Sequence, residues 1–398
     1  MSNPLVAEKL QQATRLVAES PFDVWITFVR ETAEAADPLL PFLIEGSVTW
    51  QSAFLIGKNG RRVAIVGKYD HEPLVKSGNW DEVVPYVQDI KPVLRDAIAA
   101  MAPGTTPRIA VNFSVNDEKC DGLSHGMFLL LNSYLAGTPF AELESAEELC
   151  AALRGRKTAD EIRRIKNALA AGDLLFDDIV RFASVGVSEA AVFETVHRLA
   201  TEGGLGFSWD PCQDPIVNSG PDSMVGHGTP SSTITIQPGH IFHVDLGVLV
   251  DGYASDIQRS WYVRSSPREE IPEDVAKAFE AVRGALVKGF ETLRPGVHGW
   301  QVDAAAREFL VAAGYEEYQH ALGHQVGRMA HDGGALLGPK WARYGDRPSI
   351  PVSEGEVYTL ELGVVLPKRG YLGLEEMVRV TDSACEWLSQ PQTEIMFL

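Results

Sequence analysis

Cysteine is scarce in this chain. Four thiols, Cys120, Cys150, Cys212 and Cys385, are scattered over 398 residues with no C-x-x-C pair. That density excludes a disulfide scaffold, and the thiols are read as reduced. Long apolar runs are missing as well. The longest, such as Ile241 to Val250, is broken by charge or glycine and is too short to span a bilayer. The opening MSNPLVAEKLQQATRLV has neither the basic start nor the apolar core of a secretion signal, so a cytoplasmic protein without a membrane partner is expected. Positive charge is in deficit: 35 Lys and Arg stand against 54 Asp and Glu, a formal net charge of −19. Such a surface repels nucleic acid. No G-x-x-x-x-G-K-[S/T] phosphate loop is present, and Gly57, Gly60 and Gly67 fit hairpin turns rather than a dinucleotide loop.

The 45% hydrophobic and 22% charged content supplies a globular core, and the length suits two domains. Residues 1–154 mix amphipathic helices with short apolar strands. Helices are expected over 5–19, 94–100 and 121–135. Strands are expected over 24–28, 53–56, 63–66 and 108–113, with a hairpin turn at Lys58-Asn59-Gly60. This predicts a smaller α/β domain with a mixed sheet. The charge-rich stretch 141–157 closes it. Thr158, with Glu161 three residues on, forms a capping-box signal for a long helix to about residue 180. Ser188 opens a second helix, stopped by Gly203-Gly204. Strand-like runs follow at 216–217, 233–236, 241–246 and 260–263, then helices at 272–290 and 298–313, then strands at 357–365 and 377–380. Residues 155–398 therefore read as an α+β domain.

Its acidic and imidazole residues fall in apolar surroundings. In FHVDLGVLVDGYASDIQR, a strand, a turn at Asp251-Gly252 and a returning strand would set Asp245 and Asp256 side by side. Two carboxylates in an apolar sheet repel each other and are costly to bury without a cation. The plainer alternative is a turn cap and a surface charge. His320, His324 and His331 cluster in QHALGHQVGRMAHDGG. Their spacing would share a helix face, but Gly323 and Gly327 fit loop or strand backbone close to a ligand better. Glu361 sits in VYTLELGVV, opposite the face of Tyr358, Leu360 and Leu362. Of the adjacent Glu375 and Glu376, only one can face a given site. Four carboxylates and one neutral imidazole balance the charge of two divalent cations. Oxygen-rich ligation favours Mn²⁺, Co²⁺, Zn²⁺ or Fe²⁺ over copper.

These segments resemble the creatinase/aminopeptidase P/prolidase family of metallopeptidases, which have the pita-bread fold. The resemblance rests on Asp245 in VDLG, Asp256 in DGYASDIQR, His324 in HALGHQVG, Glu361 in TLELG and Glu375 in LGLEE, in that order. It implies a pita-bread catalytic domain over 155–398, preceded by a creatinase-like α/β domain over 1–154. It implies that those five residues hold two divalent ions, often manganese. It also implies cleavage of Xaa-Pro peptide bonds by a metal-bridged hydroxide, with Glu361 handling the proton. His227 in VGHGTP, His320 and His331 match the family's supporting catalytic histidines, and the family commonly forms homodimers. Two departures bear on specificity: Leu362 stands where proline is usual, and Gly373-Leu374 where an arginine is expected. A hydrolase of a small non-peptide amide or cyclic amidine, and a noncatalytic peptide-binding scaffold, are the competing expectations.

Overall fold

The computed structural model describes residues 4–34, 36–103, 106–226 and 228–398, so His227 lies outside the described residues. The chain divides into two compact units, Met1–Arg154 and Gly155–Leu398.

The first unit is built on a six-stranded mixed sheet. Its strands run in the order Glu82–Tyr86, Arg62–Gly67, Ser52–Gly57, Val24–Val29, Ile109–Val111 and Leu143–Ser145. The central VWITFV strand is buried on both faces, as a run of β-branched and aromatic residues should be. It pairs antiparallel with Ser52–Gly57 and parallel with Ile109–Val111. Leu10, Trp25 and Phe42 fill the core on one side of the sheet, and Ile26, Leu94 and Leu131 the core on the other. One helix begins later than the sequence suggests, at His125 instead of residue 121. Ser124 caps it by accepting from the Met127 N–H, while the Leu123 N–H is committed to the Asn112 carbonyl.

In the second unit the helix Ala159–Phe182 starts at a complete capping box between Thr158 and Glu161, and Ser188 caps Glu189–Glu202. A seven-stranded, curled sheet follows. Its main path is Val357–Leu366, Gly370–Val380, Ile257–Tyr262, Ile241–Leu246 and Ile216–Ser219. Helices Glu273–Thr292 and Gly299–Ala312 cover one face, where Phe279, Val282 and Leu286 pack with Tyr358, Leu360 and Leu362. The opposite face carries the acidic residues. This is the α+β, pita-bread-like arrangement, with a helix- and strand-rich segment ahead of it.

One local expectation changes. Residues 233–236 make no strand; Thr235 forms only an isolated bridge to Ser188. The β-branched run has strand propensity but no neighbouring ladder to join, and Pro238-Gly239 ends it. The segment carrying His320, His324 and His331 is irregular backbone, as Gly323 and Gly327 favoured. It is held by bridges of Gly323 to Leu337 and Gln325 to Tyr358. A Cβ at Gly323 would lie 2.0 Å from the Thr359 carbonyl oxygen, so glycine lets this segment lie against the strand.

Candidate metal centre

Strand register builds the site. Asp245 pairs with Gln258, Gln258 with Glu375, and Glu375 with Glu361. Four side chains from four adjacent strands therefore stand in one row on one face of the sheet. Asp256 lies two residues before Gln258 and shares that face. The register also sets how the expected aspartate pair lies side by side. A two-residue turn at Asp251-Gly252 matches residues equidistant from it, Val250 with Tyr253 and Asp245 with Gln258, which leaves Gly247 across from Asp256. The two aspartates are thus diagonal neighbours rather than directly opposed.

His324 arrives from the irregular segment. Its Nε2 is 3.5 Å from Glu361 Oε1 and 3.7 Å from Asp256 Oδ2. Its Nδ1 is 3.0 Å from the Ala330 carbonyl oxygen. A carbonyl only accepts, so Nδ1 carries the proton and the Nε2 lone pair points at the carboxylates. Burial, then the neighbouring His331, lowers the His324 pKa to about 3, so the ring is neutral. Donor atoms of Asp256, His324 and Glu375 all lie within 4.8 Å of one another, and all three residues are buried.

The acids are held under electrostatic stress. Burial raises Asp245 to about 7. Burial, then Asp245, raises Glu361 to about 8. Asp256 and Glu375 are pushed well above the usual carboxylate range by burial and then by their acidic neighbours. Among the described residues no lysine or arginine forms an ion pair with any of the four. The guanidinium of Arg259 serves Glu376 on the other side of the strand, with Nη1 2.9 Å from Oε1. Asp245 Oδ1 and Glu375 Oε1 are buried without a hydrogen-bond partner. Such groups cost about 1–3 kcal/mol each when left unsatisfied, and more when charged. Oxygen-rich donors, one correctly presented imidazole nitrogen and two orphaned carboxylate oxygens fit a bound metal cation.

The supporting histidines are placed differently. The His331 ring meets His324 edge to face at a centroid distance of 4.3 Å and is exposed. His320 is also exposed and leans on Tyr318, with centroids 5.5 Å apart. Two polar residues in the site escaped the sequence reading, Gln258 and His243. Gln258 Nε2 is 3.1 Å from both Glu361 Oε2 and Glu375 Oε2, and its Oε1 is 3.0 Å from His243 Nε2. Period-two alternation from Asp256 was the available signal for Gln258.

Comparison with known proteins agrees with this chemistry. The model for "Metallopeptidase family M24" matches residues 163–382. The Xaa-Pro dipeptidase of Pyrococcus furiosus is 30% identical over 256 residues, covering 64% of this chain and 69% of that protein. A putative dipeptidase of Bacillus subtilis, YkvY, is 31% identical over 261 residues, covering 65% and 67%. Among solved structures, dipeptidase PepE from Mycobacterium ulcerans has the same fold with a TM-score of 0.73 at 24% identity, over 99% of this chain and 98% of that one. Xaa-Pro dipeptidase from Bacillus anthracis superposes with a TM-score of 0.73 at 22% identity, over 99% and 100%. A family match over more than half the chain, on a fold that gathers a buried Asp-His-Glu cluster, makes this protein a metal-dependent peptidase, and the chain belongs to metallopeptidase family M24.

Proposed function

We propose that the protein hydrolyses Xaa-Pro peptide bonds, as a dipeptidase or aminopeptidase, with two divalent metal ions held by Asp245, Asp256, His324, Glu361 and Glu375. The observation that carries this reading is the convergence of Asp256, His324 and Glu375 donors within 4.8 Å, beside orphaned oxygens of Asp245 and Glu375. The Xaa-Pro substrate is supported by the names of the relatives and by the order of the five residues. Manganese is the favoured metal, with Co²⁺, Zn²⁺ or Fe²⁺ as substitutes, since four of the five donors are carboxylates.

Divalent ions in this cluster supply Lewis acidity for the scissile carbonyl and lower the pKa of water. The chain's own groups do the rest. Glu361, ionised when cations displace the proton that burial favours in their absence, takes the proton of the attacking water and passes it to the leaving nitrogen. A proline nitrogen is a poor leaving group until protonated, so this transfer governs the step. His331, exposed beside His324, donates an N–H to the oxyanion as charge grows on the carbonyl oxygen. His227 shares that supporting role by resemblance. His320 shapes the substrate side of the site and moves no proton.

A homodimer belongs to this reading through the family resemblance. A cytoplasmic setting is supported by four free cysteines, and the absence of a nucleic-acid partner by the acidic surface. Among the described residues, no helix is long and apolar enough to cross a membrane. A second substrate class, small non-peptide amides, is favoured by Gly373-Leu374 standing in place of the expected arginine. The test is to strip the protein of metal, reload it with Mn²⁺, and offer Xaa-Pro dipeptides, longer Xaa-Pro peptides and small cyclic or guanidino amides. Turnover of the first two with measured metal content supports the reading. Full turnover by a metal-free Asp256→Ala protein ends it.

A further inference from the structure

We propose that Gln258 is a positioning residue of the metal centre: its carboxamide, braced by His243, ties Glu361 and Glu375 into a fixed pair and decides which oxygen of each faces the metals. The inference rests on the metal-centre reading above and deepens it.

The row of side chains across the sheet is Asp245, Gln258, Glu375, Glu361. One neutral amide is interleaved among three acids. A primary carboxamide has two N–H donors and one carbonyl. Both donors of Gln258 are used, one on Glu361 Oε2 and one on Glu375 Oε2, each at 3.1 Å. With the nitrogen committed, the carbonyl is the end that meets His243, with Oε1 hydrogen-bonded to Nε2 at 3.0 Å. His243 is buried, and its ring packs edge to face against Tyr371 at a centroid distance of 4.9 Å. The amide therefore cannot turn over without losing three hydrogen bonds at once.

The consequence is a division of labour within each glutamate. Oε2 of both is tied to Gln258. Oε1 of Glu361 is the atom 3.5 Å from His324 Nε2, and Oε1 of Glu375 is buried without a partner. The anchored atoms face the amide and the remaining atoms are left to ligate. Backbone space is shaped to the same end. A Cβ at Gly373 would lie 2.5 Å from the Tyr371 ring, 2.7 Å from Gln258 Oε1 and 3.0 Å from His243 Nε2. Gln258, His243 and the Tyr371 ring packed on it together fill the volume that a side chain at 373 would enter, so glycine there leaves room for the braced amide.

Groups that orient metal ligands typically change metal affinity by about 10–100-fold when removed. The test uses the full chain stripped with chelator and titrated with Mn²⁺ alone by calorimetry, with thermal unfolding in chelator recorded in parallel. Gln258→Met keeps the length and loses both donors; it is expected to weaken Mn²⁺ binding about 10–100-fold. A merely structural role would lower the unfolding midpoint in chelator and leave Mn²⁺ affinity alone. Gly373→Ala, a milder change, is expected to weaken Mn²⁺ in the same direction by crowding the amide. His243→Leu should weaken Mn²⁺ in the native background and add nothing in the Gln258→Met background. Wild-type protein that binds no Mn²⁺ overturns the metal-centre reading itself. Wild-type protein that binds Mn²⁺, with Gln258→Met and Gly373→Ala binding equally tightly, overturns only the positioning role. Equal losses from His243→Leu in both backgrounds overturn the bracing by His243.

Discussion

Glu361 and Glu375 stand directly across from each other in the ladder between Val357–Leu366 and Gly370–Val380. Two acids so placed cannot both ionise cheaply in a buried face. In the metal-free protein Asp245 and Glu361 titrate near 7 and 8, above the ordinary carboxylate range. The folded chain then holds protons that the unfolded chain releases, so metal-free stability falls as pH rises through that window. Cations reverse the sign, because they bind the ionised form and expel the protons. Chelated protein should lose thermal stability between about pH 5 and 8, and Mn²⁺-loaded protein should not. At neutral pH, calorimetric Mn²⁺ titrations should show heats that vary with the ionisation enthalpy of the buffer. Buffer-independent heats would falsify this account of the acids.

The hydrogen bond from His324 Nδ1 to the Ala330 carbonyl leaves Nε2 as the metal-facing nitrogen. His324→Ala removes the one imidazole among the proposed ligands. Its expected outcome is loss of one metal per chain by elemental analysis, with turnover falling to background. A variant that retains both metals would remove His324 from the ligand set.

His331 lies beside His324 but is exposed. His331→Ala should leave metal content unchanged and lower kcat by about 10²-fold, the usual scale for one oxyanion donor. Equal losses of metal and activity would make it a structural support instead.

Lys157 and Asp332 form an ion pair at 2.9 Å, with side chains 0% and 1% exposed. Asp332 follows His331, and a Cβ at Gly327 would sit 2.1 Å from its Oδ2, so the pair clamps the backbone that carries His324 and His331. Removing one partner of a buried pair leaves a charge uncompensated, at about 3–5 kcal/mol. Lys157→Met should lower unfolding free energy on that scale in denaturant titrations. A change below about 1 kcal/mol, the range of a surface pair, would show that the clamp contributes little.

Local signals in the sequence translated well where the physics is local. The Thr158–Glu161 capping box and the Ser188 cap involve groups three residues apart, and both helices begin where those residues stand. Residues 233–236 show the opposite case, since strand propensity needs a partner that sequence does not supply. The aspartates came together as the turn at Asp251-Gly252 suggested, but their exact placement needed the register: residues equidistant from the turn pair, which brings Gln258 opposite Asp245 and Asp256 onto the diagonal. The bends of 319–334 were beyond reach because they depend on backbone contacts with Leu337, just past the segment, and with Thr359 on a separate strand.

By itself the sequence determined the inventory: which side chains can bind a hard cation, that they sit in apolar strands, and that their order matches a metallopeptidase family. Only the tertiary structure decided how they meet. Strand register set the acids in a row, with Gln258 among them and Asp256 on the diagonal, and a backbone carbonyl turned the His324 lone pair inward. The reason is that ligand identity is carried by each residue alone, whereas distance and tautomer are set by pairings between strands and segments that lie far apart in the chain.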